Sequence, residues 1–580
     1  AAAAMLYDAV SGTSGRAQVR TAADGCAEVR LQLLPGESIL IKTFPQEIDA
    51  PDWKYAAVCG ESVPIDRAWN ISFPQSDPAI PGNFFTDKPM DWTKLKVDDA
   101  RVNFGTALYS SAIDLLHPEE ADEWILDLGD VRESARVVIN GQEAGTVWSV
   151  PFRLPVGKYL QPGINLLEVY VTNLQSNRIA DYDRRGVPWR IFKDANVNTL
   201  GPRTFEGWQT DPSGLCSEVN LIPVHYDVPS SAEVLAQARR VNDYFMQKFP
   251  DPLRVVPFPS RHKVYEGNIW TRGVYYEGLM ALYGVDPQQR YLDYTMDWGD
   301  KFDWNMRNGQ TLTRNADNYC CSQAYIDMYR IYGEQKMIAN VTRCMENILA
   351  SPEAVSDWTW IDAIQMGMPA MIKYGVTMNR PDYFEKAWQM YKWSRDRFKN
   401  EAEGLWWRDK DFCPPYTTPN GKDCYWARGN GWVIAALVRV LQELPGSDPH
   451  KAVYEQDFRD FCQAVIKYQR ADGTWNPSVA DPDDFGGPEA TGTSLFLYGL
   501  AWGLNTGRLD PATYGPVVAR GWNGLNRICI HPSGFIGYSQ GSGKEPKEAQ
   551  PVTWDRIPDF EDFGTGCYLL AASEVSKLAR

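Results

Sequence analysis

The chain has 580 residues, 44% hydrophobic and 23% charged, the balance of a folded protein rather than a disordered one. Its net charge of −16, from 58 basic and 74 acidic residues, argues against a nucleic-acid-binding face. No apolar run reaches the roughly 18 residues that a membrane-spanning helix needs. Length alone suggests two or three domains. The 22 Trp, 29 Tyr and 22 Phe give an aromatic share of 13%, high enough to suggest sugar-stacking surfaces as well as core. Eleven cysteines without a CxxC pair, and five scattered histidines, fit neither a metal site nor a dense disulfide framework. The expectation is buried free thiols and no metal.

The N-terminus, Ala1–Met5, has no charged n-region and no apolar h-region, so no signal peptide is read there. A periplasmic or secreted location is nevertheless expected. Residues 5–60 read like the end of a β domain, as in a mature or truncated piece of something larger. AEVRLQLLPGESILIKTF (27–44) alternates apolar and polar positions and breaks at Pro35-Gly36. WILDLGDV (124–131), ARVVINGQEAGTVW (135–148) and NLLEVYVTN (165–173) follow, with Asn140-Gly141 marking a tight hairpin. Short strands at this spacing predict an all-β sandwich over 1–228, with the end of one domain at about 1–60 and a second at about 61–228.

PSSAEVLAQARRV (229–241) changes the period to that of a capped amphipathic helix, which places the domain boundary near 228. From there the chain reads as helix pairs. The first helix of each pair is small and apolar, starting near 273, 316, 360, 429, 491 and 565, and the second is amphipathic. The helix at 231–248 is the outer partner left for the last of them. Inner helices ringed by neighbours are apolar all round, whereas outer ones need a single buried stripe. Six pairs predict an (α/α)6 toroid over 229–580. EGLWWRD (403–409), DGTWNPS (472–478) and SGFIGYS (533–539) crowd one mouth of that ring.

Two acids stand at starts of inner helices. Asp317 lies in RNADNY and Asp362 in WTWID, behind Trp358 and Trp360. Each is either a helix cap or a general acid whose pKa is raised by poor solvation between indoles. In WARGNGW (426–432), Trp426, Arg428 and Trp432 suit stacking of a sugar ring and bidentate capture of a carboxylate. A buried structural arginine is the alternative. Glu489, in PEATGTS, is read as favourable at a helix N-terminus.

Five strings in order carry a resemblance: WTRGVYYEGL (270–279), ADNYCCSQAYIDMY (316–329), WTWIDAIQMG (358–367), WARGNGW (426–432) and TGTSLFLYGLAWG (491–503). The second half resembles glycoside hydrolase family 105, the unsaturated rhamnogalacturonyl and glucuronyl hydrolases. The resemblance implies that Asp362 is the general acid/base, that Asp317 assists it, and that Trp426, Arg428, Trp432 and Trp360 bind substrate. The implied partner is a lyase-made oligosaccharide ending in a Δ4,5-unsaturated uronate, with unsaturated galacturonyl-rhamnose preferred. The chemistry is hydration of the C4–C5 bond, and no cofactor is expected. Some family members carry a histidine near the site; no histidine lies between residues 263 and 449 here. About residues 5–225 resemble the jelly-roll, galactose-binding-like region at the C-terminal end of family 106 α-L-rhamnosidases, through Trp124, Asp127, Gly129, Asn140, Gly141, Asn165 and Asn173. That leaves an inverting α-L-rhamnosidase and a non-catalytic sugar-binding protein as alternative functions. The oligomeric state is not legible.

Overall fold

The computed structural model describes residues 1–188, 209–252, 255–258, 263–548, 552–553 and 561–578. The chain divides into two compact units, Ala1–Asp227 and Val228–Arg580.

The first unit is β-rich and antiparallel. One sheet runs, in spatial order, Gln142–Val147, Ser134–Ile139, Gly163–Thr172, Phe104–Leu115, Trp69–Asp77 and Asn83–Thr86. A second runs Arg153–Pro155, Glu123–Asp127, Asn220–Tyr226 and Ala56–Val58, with Val63–Pro64 also on Asn220–Tyr226. Burial alternates residue by residue along Phe104–Leu115, the period-two signature of a strand with one face in the core. Ile71, Tyr109 and Val169 of the first sheet share one apolar cluster with Leu126 and Leu221 of the second.

The expected hairpin is present. Ile139 pairs with Gln142 across Asn140 (φ 52°) and Gly141 (φ 77°). The motif asparagines act as staples. Asn140 Nδ2 donates to Asn165 Oδ1 at 2.8 Å, and Asn165 Nδ2 donates to the Gln161 and Gly163 carbonyls. Asn173 accepts from Gly105 N–H and donates to Asn103 O. The run 27–44 forms two strands with separate partners. Ala27–Val29 pairs with Val19–Thr21, while Leu40–Phe44 pairs with Ala3–Tyr7. The intervening residues stay exposed around Pro35-Gly36, where φ of +93° at Gly36 suits glycine.

In the second unit the described residues include twelve long helices: α1 (Ser231–Lys248), α2 (Trp270–Tyr283), α3 (Gln289–Lys301), α4 (Ser322–Tyr332), α5 (Gln335–Ala350), α6 (Asp362–Thr377), α7 (Asp382–Phe398), α8 (Ala427–Glu443), α9 (Lys451–Val465), α10 (Ala490–Asn505), α11 (Pro511–Gly524) and α12 (Glu561–Leu578). Helices α2, α4, α6, α8, α10 and α12 each touch the next, and α12 returns to α2, which closes a ring. Helix α1 packs on α12, so it is the outer partner of the last pair. The inner helices are buried on every side, as α8 shows from Ala427 through Leu441. The second inner element is broken: a short helix, Ala316–Tyr319, precedes α4.

Ring closure depends on glycine. A Cβ placed on Gly278 of α2 would lie 2.4 Å from the Gly566 carbonyl of α12. Backbone cannot yield as a side chain can, so Gly278→Ala forces the two helices apart. We expect it to cost about 1–3 kcal/mol, read as a lowered midpoint in thermal unfolding of the whole chain. An unchanged midpoint would mean that the seam is plastic.

The interior of the ring carries one polar layer. Glu277 of α2, 1% exposed, accepts from Gln365 Nε2 of α6 at 2.8 Å. Gln323 Nε2 of α4 donates to Gln365 O at 3.0 Å, and Arg439 Nε of α8 donates to Gln323 Oε1 at 3.0 Å. Arg439 Nε lies 3.8 Å from Glu277 Oε2. Burial pushes the Glu277 carboxyl up, and the Arg439 charge opposes that. Four inner helices are thereby held in one register.

Candidate active site

Asp362 is the first residue of α6, behind Ile361. The segment before it pairs with the loop 408–409: Ile361 N–H donates to Arg408 O at 2.9 Å, and Trp360 bridges Asp409. That pairing brings Arg408 to Asp362 across 46 positions of sequence. Arg408 Nε donates to Asp362 Oδ2 at 3.3 Å, and its Nη1 donates to Asp409 Oδ2 at 2.6 Å. Trp358 is fully buried and donates from Nε1 to the Tyr319 hydroxyl, while Trp360 is half-buried. Asp362 itself is 9% exposed. Its burial raises the carboxyl pKa; the Arg408 and then the Arg428 charges act against that rise.

Asp317 is the second residue of the short helix Ala316–Tyr319, half-buried. Asn315 is the cap there, accepting from Asp317 N–H at 3.0 Å. Neither acid therefore serves as the capping residue of its helix. The Asp317 charge reaches Arg408 and stabilises the guanidinium, together with Asp362 and Asp409. Three carboxyl groups thus face one cation.

WARGNGW knits two loops to the start of α8. Asn430 Oδ1 accepts from Trp406 N–H at 2.9 Å, and its Nδ2 donates to Trp406 O and Trp426 O. Trp426 Nε1 donates to Gln540 Oε1 at 2.8 Å. Arg428 Nη1 and Nη2 donate to the Gln540 and Gly541 carbonyls at 2.6 and 2.7 Å. Its guanidinium lies on Trp426 at 4.7 Å and on Phe563 at 4.9 Å. The second ring on the guanidinium is therefore Phe563 rather than Trp432. Trp432 is buried and meets Trp270 edge-on at 6.1 Å. Gly429 and Gly431 are required by close packing, since a Cβ on either would meet Trp426 or Leu495 at 2.8 Å. Glu489 caps α10, accepting from Thr491 and Gly492 N–H.

Of the residues singled out in the sequence, Asp362, Asp317 and Trp360 gather around Arg408. Trp426 and Arg428 sit on the 540–541 loop, with Arg428 close enough for its charge to act on Asp362. Arg408 was missed. Its signal was the Arg-Asp pair ending EGLWWRD, a loop read as crowding the mouth. Among the described residues no cluster of His, Cys, Asp or Glu has a metal-holding arrangement. Seven of the eleven cysteines are buried.

The helical unit is thus a closed ring of helix pairs with a buried carboxyl, Asp362, at the start of one inner helix. The chain belongs to Glycosyl Hydrolase Family 88, whose family model matches residues 237–579. It is 30% identical over 330 residues to an unsaturated 3S-rhamnoglycuronyl hydrolase of Formosa agariphila, covering 53% of this chain and 84% of that protein. A protein of the same description from Alteromonas sp. is 27% identical, over 56% of this chain and 81% of its own. Among solved structures, a glycosyl hydrolase family 88 protein from Bacteroides vulgatus superposes with a TM-score of 0.55 at 31% identity, covering 60% of this chain and 98% of that one.

Proposed function

We propose that this chain removes a Δ4,5-unsaturated uronate from the non-reducing end of lyase-made oligosaccharides in which the uronate is linked to rhamnose. The carrying observation is Asp362: a buried carboxyl with raised proton affinity, held by Arg408 at the start of an inner helix. The names of the two relatives support a rhamnose-linked unsaturated uronate. We read Trp360 as a wall of the substrate site, Trp426 and Trp432 as its packing support, and Arg428 as the anchor that shapes the wall through the 540–541 loop.

The substrate is an enol ether bearing a carboxylate. Protonated Asp362 delivers its proton to C4, and positive charge develops at C5, shared with the ring oxygen. Water adds at C5 and gives up a proton to a carboxylate, with Asp317 placed to orient it. The resulting hemiketal opens by breaking the bond from C5 to the ring oxygen, which leaves a ketone at C5 and a hemiacetal at C1. That hemiacetal collapses to the aldehyde and frees the aglycone. The spacing rule for inverting and retaining glycosidases does not govern this route. Because the acid form of Asp362 is the active one, kcat/KM is held on the acidic side of its raised pKa and falls as pH climbs through it.

We also read the two antiparallel sheets of the first unit as a jelly-roll of the galactose-binding type. Their shared apolar core supports this.

The test is a panel of lyase digests, followed by the ultraviolet absorbance of the conjugated double bond and by chromatography of the released sugar. Loss of absorbance with release from a rhamnose-containing digest supports the reading. Release of rhamnose from a nitrophenyl rhamnoside, with every digest untouched, would replace it with the rhamnosidase.

A further inference from the structure

The substrate proposed above is an anion, and the arginine that the sequence points to is already committed. Arg428 is 1% exposed, and both of its terminal nitrogens donate to loop carbonyls. Its Nε is sealed from solvent without a hydrogen-bond partner. Arg408 differs on each count. Its side chain keeps 19% exposure. Its Nε is on Asp362 and its Nη1 on Asp409, while Nη2 has no partner among the described residues.

We propose that Arg408 receives the uronate carboxylate on Nη2 and, by turning toward it, leaves Asp362 to hold the proton that goes to C4. The inference rests on the unsaturated-uronate reading. It follows from charge. The groups facing Asp362 are Arg408 from the 403–409 loop and Arg428 from α8, with Asp409 and Asp317 facing Arg408 in turn and Glu489 and Glu548 facing Arg428. With these carboxyl groups ionised, the two arginines leave a net negative site, which repels a uronate. Protonation of Asp362 removes one of those negative charges. An arriving carboxylate competes for Arg408, weakens its hold on Asp362, and so favours the protonated acid. Binding of the anion and loading of the general acid become one event.

The experiment uses the full chain with Arg408→Gln and Arg408→Lys. The substrates are an unsaturated uronyl disaccharide and its methyl ester, which lacks the charge. Wild type should prefer the acid over the ester, and Arg408→Gln should raise KM for the acid ~10–100-fold while changing KM for the ester far less, so that the preference disappears. Its basic limb of kcat/KM should also move to higher pH, because a cation that lowers the Asp362 pKa is gone. Arg408→Lys keeps the charge and should keep both the limb and part of the preference. It also serves if Arg408→Gln fails to fold, since the lost fork alone should weaken the preference. An acid preference and a basic limb unchanged in the variants would overturn the proposal and leave Arg408 a structural link between Asp362 and Asp409. Failure of the functional reading looks different: wild type then leaves the absorbance untouched before any substitution is made.

Discussion

Asp362→Asn is expected to lower kcat by about 10²–10⁴-fold, the usual contribution of a positioned general acid. The amide is nearly isosteric and still accepts from Arg408 Nε, so the pairing of 360–361 with 408–409 is preserved. What disappears is a transferable proton at C4. The loss should fall on kcat and kcat/KM alike, since the proton moves only in the transition state. The unfolding midpoint should stay within a few degrees of wild type, because the amide fills the same space and keeps the acceptor for Arg408 Nε. Steady-state rates from bleaching of the double bond decide the matter. A variant as fast as wild type would reduce Asp362 to a structural residue.

The largest effect on stability is expected from Glu277→Leu. Arg439 is buried in the ring, and Glu277 is its carboxylate counterpart at 3.8 Å. Removing one partner leaves an uncompensated buried charge, a loss of about 3–5 kcal/mol in comparable cases. It also strips Gln365 Nε2 of its acceptor, one turn below Asp362 on α6. Thermal unfolding should show a clear drop, and any residual folded protein should have a lowered kcat. The double variant Glu277→Leu with Arg439→Leu should recover part of the midpoint. A single variant with wild-type stability would mean that Gln323 and neighbouring groups satisfy Arg439 without Glu277.

The helix pairs were legible because the physics of a ring is written into each helix. An inner helix with neighbours on all sides has no polar face, and α8 and α10 show this in their sequences. The partner of α12 was legible by elimination, because α1 was the helix left over. Asp362 and WARGNGW were legible as local strings. Arg408 was not, because it reaches Asp362 through a backbone pairing between segments far apart in sequence. The true partners of Arg428 lie 112 and 113 positions away, in a loop whose local sequence gives no sign of them. Residues 27–44 show the same limit: the break at Pro35-Gly36 is local, but the two strands around it pair with neighbours that the string does not name.

The central claim is that the bond consumed is the C4–C5 double bond and not an ordinary glycoside. The most direct measurement follows a purified unsaturated uronyl-rhamnose disaccharide with wild-type protein, recording absorbance and free aglycone at the same time points. The expected result is one double bond lost for each aglycone released, from the first time point and without a lag. Aglycone accumulating while the absorbance holds its initial value would contradict the account, since the glycosidic bond would then be cleaved with the double bond still intact.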